Sequence, residues 1–168
     1  MNPTNVITAR FLTTLVLASV IGSIGLQGQS STPFVPVTDA MLQAPDPDDW
    51  LMWRRTLDGW GYSPLNQIDR ENVSTLRMVW SRALGAGRLQ QGTPLVYDGI
   101  MYMPNPRDVI QAIQADTGDL IWEHRREVPE DIEDFMIAAL GDLNRNLAIH
   151  GTTIIDTSID DFVFALDA

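Results

Sequence analysis

Few side chains in this sequence have the type and spacing that chemistry requires. The 168 residues include no cysteine, which excludes disulfides, thiolate catalysis and cysteine-ligated zinc within the chain. The two histidines, His124 and His150, are isolated from each other, and we interpret both as strand residues. Four acids could bind a hard cation, but they lack glycine-punctuated loop spacing, which favours a solvated face: Glu130, Asp131, Glu133 and Asp134.

The charge balance narrows the range of partners. The chain has 22 acidic and 11 basic residues, giving a net charge of −11, and every basic residue is an arginine. Binding to phosphate groups needs clustered positive charge. We therefore expect no nucleic-acid partner and no attraction to anionic membrane surfaces.

The N-terminus has the three-part layout of a secretory signal peptide. A polar start containing Arg10 precedes the uncharged run 11–26, and small polar residues follow it. We predict a signal peptide at residues 1–28, export to the periplasm and no stable membrane span after cleavage. The alternative is a membrane anchor, although the run is slightly short for a spanning helix of about 20 residues. Residues 29–49 are rich in proline and are predicted to form an extended leader that cannot be a helix.

From Thr93 onward the pattern is typical of β-structure. Asp98-Gly99 favours a tight hairpin turn, and a second turn is predicted at residues 116–119. Four antiparallel strands are therefore expected within residues 90–126. A further strand is predicted at 76–80, LRMVW. Residues 127–145 are interpreted as an acidic insertion that contains a short helix.

A second copy of the same pattern follows 53 residues later, where residues 93–115 align with 146–168. The matching positions are Asp108, Val109, Ile110, Ala112, Ile113 and Ala115, against Asp161, Phe162, Val163, Ala165, Leu166 and Ala168. Repeated four-stranded units indicate β-propeller blades, while two unrelated hairpin modules remain the alternative. The sequence thus predicts an all-β partial propeller of about one and a half four-stranded antiparallel blades. We expect it to be the opening piece of a longer protein, with an incomplete second blade at 146–168.

One short motif connects this repeat to a known family. Ala112, Ala115, Thr117, Gly118 and Trp122 give A-x-x-A-x-T-G-x-x-x-W, which resembles the tryptophan-docking motif of the PQQ-dependent (quinoprotein) alcohol dehydrogenases. Residues 50–80 resemble that family's N-terminal signature. The resemblance implies an eight-bladed propeller that carries PQQ with Ca²⁺ or a lanthanide. It also implies oxidation of an alcohol or related hydroxy substrate, with cytochrome c or a quinone as electron acceptor.

The resemblance also suggests cofactor-binding residues. Gln91 aligns with a family glutamate that contacts the cofactor, and Arg145 aligns with an arginine that pairs with its polar edge. A guanidinium suits a carboxylated quinone because its fork is bidentate and always charged. The alternative for Arg145 is pairing with the acidic insertion. Ala139-Leu140 stands where family members often have two adjacent cysteines.

Two functions therefore remain open at the level of sequence. The first is an exported dehydrogenase whose metal ligands and general base lie beyond residue 168, so that these 168 residues are inactive alone. The second is a non-catalytic propeller scaffold of the cell envelope, which the missing glutamate at Gln91 and the missing cysteine pair favour.

Overall fold

The computed structural model describes residues 33–84, 90–129, 131–132 and 143–168. The predicted signal peptide at 1–28, the pair Ala139-Leu140 and nearly all of the predicted insertion helix lie outside these ranges. Within them, no helix is long and apolar enough to cross a bilayer.

The first sheet contains the four strands that the sequence predicts. They are β1 (Leu95–Tyr97), β2 (Ile100–Asn105), β3 (Val109–Gln114) and β4 (Leu120–Arg125). All neighbours are antiparallel and the spatial order follows the chain order. Asp98 and Gly99 have φ values of 47° and 74°, the two positive angles that a type I′ turn requires. The prediction of an antiparallel meander is confirmed.

The second sheet repeats the first. It contains β5 (Ala148–His150), β6 (Thr153–Thr157) and β7 (Val163–Asp167), again antiparallel in chain order. The pairing Leu95↔Tyr102 recurs as Ala148↔Ile155, with both partners shifted by the 53 residues of the repeat. Such agreement in register argues for a true repeat over two unrelated hairpins. The number of blades in the whole protein stays a prediction.

The core lies between these sheets and the segments that precede them. Its buried members are Val37, Leu51, Leu95, Tyr97, Tyr102, Ile110, Ala112, Leu147, Ile149 and Ile154. Trp50 extends the first sheet, because its backbone exchanges hydrogen bonds of 2.8 and 2.9 Å with Val96 at the free edge of β1. The first residue of the aromatic segment that follows the leader is therefore paired with the first sheet.

The proline-rich leader is packed more closely than the sequence suggests. Val37 bridges to Gly151 in the second sheet, and the Tyr97 hydroxyl donates to the Val35 carbonyl at 2.8 Å. The prediction that this segment cannot be helical is wrong for one turn, α1 (Asp39–Gln43). Prolines flank this turn without interrupting it, and the Thr38 hydroxyl caps it by accepting from the backbone N–H of the third residue of the helix.

The predicted strand at residues 76–80 is also wrong. A 3-10 turn (Val73–Thr75) precedes this segment, which pairs with none of the described strands. Met78 and Val79 are 83% and 82% exposed. Strand conformation depends on a partner that satisfies the backbone groups, and a β-rich composition alone does not supply one.

Candidate functional site

The segments that enter β1 and β5 lie side by side. The backbone N–H of Thr93 donates to the Arg145 carbonyl at 2.7 Å. The Arg145 Nε donates to the Gln91 Oε1 at 3.1 Å across 54 residues of sequence. The structure thus brings together the two residues that the family resemblance assigns to the cofactor.

The polarity of this contact decides what the pair offers to a ligand. A guanidinium can only donate, so its partner must be the amide oxygen of Gln91. The Gln91 Nε2 is then left as a donor, where a glutamate would offer only acceptors. Both side chains are exposed, and within the described ranges Gln91 is the single side-chain partner of Arg145.

A polar cavity of about 270 Å³ opens beside Arg145. It is lined by Leu143, Asn144, Arg145, Asn146 and Thr157. Guanidinium and amide donors suit the carboxylates of a quinone cofactor. The described residues therefore fit one edge of such a cofactor.

The segment before β1 is held in place by a close backbone approach. A Cβ atom on Gly92 would lie 2.2 Å from the Pro104 carbonyl oxygen, a distance that only glycine avoids. The Gln90 side chain donates to the same oxygen at 2.9 Å. Gln91 is therefore presented from a segment that lies directly on the end of β2.

The segment before β5 is held by a buried side-chain pair that the sequence reasoning missed. Asn144 Nδ2 donates to one carboxylate oxygen of Asp156, and the Thr157 N–H donates to the other at 2.7 Å. Asp156 is only 3% exposed. Burial raises its pKa to about 6, and the negative charge of Asp108 acts in the same direction. A sequence signal did exist, since Asp156 occupies an inward position of β6 where the first sheet has Met103.

A polar network joins the two sheets. Ser158 Oγ donates to Asp108 Oδ2, and Arg126 Nη1 donates to Ser158 Oγ at 2.8 Å. The same Arg126 nitrogen lies 2.8 Å from Asp160 Oδ2, while its guanidinium covers the Phe162 ring. The neighbouring Ser158 hydroxyl and then the ion pair with Arg126 hold the pKa of Asp160 below its usual value. This network links the β2–β3 turn to the end of β6.

The motif turn at residues 114–119 receives an indole ring from upstream. Gly118 has a φ of 77°, and a Cβ there would lie 2.6 Å from the Trp80 ring. The Trp80 Nε1 also donates to the Ala115 carbonyl at 3.0 Å. The ring docked on this turn therefore belongs to Trp80, the last residue of the segment that was predicted as a strand.

The other motif residues support this turn and the first sheet. Thr117 Oγ1 donates to Asp119 within the turn at 2.8 Å. Trp122 pairs with the fully buried Ala112 across β3 and β4, and its ring centroid lies 6.0 Å from that of Tyr102. A docking role for Trp122 itself stays a prediction.

Metal-binding side chains are sparse in the described ranges, where no group of three or more His, Asp or Glu could hold an ion. His124 lies in β4, 5.7 Å from the Phe164 ring. His150 lies in β5, with Nε2 3.0 Å from Asp39 Oδ1. Their interpretation as strand residues is confirmed. Of the four clustered acids only Asp131 is among the described residues.

Two consecutive antiparallel sheets that share one register are the repeating arrangement expected of a β-propeller. Residues 50–168 match the PQQ family model for the β-propeller domain of glucose, ethanol and alcohol dehydrogenases. The chain belongs to this family, and the predicted resemblance is confirmed.

Individual relatives agree with this assignment. The chain is 37% identical over 131 residues to the dehydrogenase subunit of alcohol dehydrogenase (quinone) from Gluconacetobacter polyoxogenes, covering 77% of this chain and 18% of that protein. The solved quinohemoprotein alcohol dehydrogenase of Pseudomonas putida HK5 is similar with a TM-score of 0.71 and 32% identity, over 80% of this chain and 20% of that one. A europium-containing methanol dehydrogenase gives a TM-score of 0.67 at 30% identity, over 77% and 22% of the respective chains. The chain thus spans about a fifth of the length of these relatives.

Proposed function

We propose that this chain supplies propeller blades and one edge of the cofactor pocket to an exported PQQ-dependent dehydrogenase that oxidises alcohols. The observation that carries the proposal is the Gln91–Arg145 contact beside a polar cavity. Relatives named alcohol dehydrogenase (quinone), 1-butanol dehydrogenase (cytochrome c) and lanthanide-dependent methanol dehydrogenase support an alcohol substrate, a cytochrome c or quinone acceptor, and a bound lanthanide. Ca²⁺ is the other ion that the family resemblance implies.

The described residues would bind and orient the cofactor. Arg145 would pair with a carboxylate of PQQ through its Nη1 and Nη2 nitrogens, which have no partner among the described residues. Gln91 would donate from Nε2 to an acceptor atom of the same edge. When bound, PQQ supplies the two-electron acceptor for oxidation of the alcohol. Residues 1–28 would direct export to the periplasm, which N-terminal sequencing of the mature protein would test.

Cofactor affinity tests the assignment of Arg145. We expect Arg145→Ala in the complete gene product to weaken PQQ binding about 10- to 100-fold, because a charged hydrogen bond contributes roughly 1.5–3 kcal/mol. Arg145→Lys keeps the charge but loses the planar fork, so its affinity should be intermediate. Fluorescence titration with PQQ in the presence of Ca²⁺ measures both variants.

Arg125→Ala is the matched control, since Arg125 is an exposed arginine of β4 that pairs with Glu123 at 2.7 Å. It should bind PQQ as the wild type does. Equal affinities of the wild type and Arg145→Ala would remove Arg145 from the site.

A non-catalytic scaffold is the second candidate, and the amide at Gln91 is the observation that favours it. Absence of PQQ binding by the complete wild-type gene product, with either Ca²⁺ or La³⁺, would establish this alternative over the enzyme. We also propose that residues 1–168 alone reduce no dye when PQQ, Ca²⁺ and ethanol are added. Turnover under those conditions would contradict this.

A further inference from the structure

The segment that presents Arg145 is fixed by a buried residue at each end, Asn144 and Leu147. Asn144 and Leu147 are each only 5% exposed, while Arg145 and Asn146 between them face solvent. Leu147 belongs to the apolar core. Asn144 is polar, so its burial requires a hydrogen-bonding partner.

Asp156 is that partner. Its two carboxylate oxygens are used separately, one by Asn144 Nδ2 and the other by the Thr157 N–H. Because an ionised carboxylate only accepts, it satisfies both donors at once. The position of the segment before β5 is thereby tied to a residue in the middle of the second sheet.

The sheet itself does not need a carboxylate at this position. The equivalent residue of the first sheet, 53 positions earlier, is Met103, and β2 pairs in the same register as β6. A buried carboxylate carries a desolvation cost that an apolar side chain avoids. Asp108 adds like-charge repulsion, and it is linked through Ser158 to Arg126 and through Arg126 to Asp160. The presence of Asp156 is therefore better explained by its hydrogen bond to the segment before β5 than by any contribution to the stability of the second sheet.

We propose that Asp156 is a positioning residue that acts through Asn144 to hold Arg145 at the rim of the polar cavity. It touches no ligand itself. The identity of the ligand as PQQ rests on the proposed function, whereas the anchoring of the segment does not. Loss of the carboxylate should release residues 143–146 and weaken binding of the anionic ligand, while the sheet remains folded.

The decisive variant is Asp156→Met, which installs the residue of the equivalent position in the first sheet. In the complete gene product we expect its thermal midpoint to equal or exceed that of the wild type at neutral pH. Amide hydrogen exchange of residues 143–146 should become about tenfold faster, and PQQ affinity should fall about tenfold, as for the loss of one charge-assisted hydrogen bond. Asp156→Asn keeps one acceptor for Asn144, so its exchange rate and its PQQ affinity should lie between those of the wild type and Asp156→Met.

Three outcomes separate the possible explanations. Slow exchange of residues 143–146 in Asp156→Met would overturn the proposal, whatever the affinity for PQQ. A lowered thermal midpoint with faster exchange throughout the second sheet would assign Asp156 a purely structural role and also overturn it. If wild-type protein binds no PQQ, the proposed function fails, and local exchange still decides whether Asp156 anchors the segment. Asp161→Asn, an exposed carboxylate of the β6–β7 connection, is the control.

Discussion

The two sheets have the same backbone and different buried chemistry. β1, β2 and β3 pair in the register of β5, β6 and β7, and the residues Asp108 and Asp161 before β3 and β7 both have positive φ, 55° and 66°. Alternating apolar residues and turn residues are therefore sufficient to specify the repeat. The residues that break the apolar pattern then make the two units different, where the first unit is the sheet β1–β4 and the second unit is the sheet β5–β7.

The differences are concentrated at polar positions. Asp108 is fully buried and bonded across to the second sheet, whereas its equivalent Asp161 is exposed. Asp156 replaces the apolar Met103. The first sheet also receives the Trp80 indole at the turn after β3. The same backbone pattern thus packs an indole ring at a turn of the first sheet and, in the second, buries a carboxylate that bonds to the segment carrying Arg145.

The largest expected effect comes from breaking the indole contact that distinguishes the first unit. Gly118→Ala adds a Cβ that would lie 2.6 Å from the Trp80 ring at a φ of 77°. Overpacking and left-handed strain together should cost about 2–5 kcal/mol in the free energy of unfolding. Gly151→Ala has a φ of 60° with nothing within 4 Å, so it should show only the strain, about 1–2 kcal/mol. Equal losses for the two variants in urea unfolding would show that the Trp80 contact contributes nothing.

An intermediate effect is expected where the equivalent aspartates differ. Asp108→Ala removes the acceptor of the buried Ser158 hydroxyl and one connection between the sheets. Asp161→Ala carries the same backbone strain without that loss, so the difference between the two variants isolates the hydrogen bond. We expect Asp108→Ala to be less stable than Asp161→Ala by about 2 kcal/mol in urea unfolding. A difference within error would mean that the network does not hold the sheets together.

The sequence predicted those parts of the fold that depend on local pattern. The Asp98-Gly99 turn, the four strands of the first sheet and the repeat could all be read from alternation and turn chemistry. The assignment of Gln91 and Arg145 to one cofactor came only from the family resemblance, and their direct contact was not predicted, because no local pattern brings together residues so far apart in sequence.

Other features depended on tertiary partners and could not be predicted. Residues 76–80 have strand composition but no pairing strand among the described residues, so only the Trp80 side chain fixes this segment to the first sheet. The helical turn at Asp39–Gln43 depends on the Thr38 cap between two flanking prolines. The role of Asp156 depends on its burial beside Asn144, which the repeat alignment with Met103 could have signalled.

The smallest expected effect is the pH dependence that Asp156 gives to the second unit. Burial raises the pKa of this carboxyl to about 6 from its usual value of 3.8. Between these values the native protein binds more protons than the unfolded chain, so the free energy of unfolding falls as pH rises through that window. After allowance for solvent screening the loss should be about 1–2 kcal/mol.

Asp156→Asn should remove this slope, because the variant has no proton to release. The measurement is the difference between wild type and variant in urea unfolding from pH 4 to pH 7. Taking the difference cancels the opposite contributions of Glu123 and Asp160. The pKa of Glu123 is lowered chiefly by the hydrogen bond from Gln111, and that of Asp160 by its neighbours Ser158 and Arg126. Parallel pH profiles for the two proteins would mean that Asp156 is ionised as easily as an exposed aspartate, and that the second unit carries no more electrostatic cost than the first.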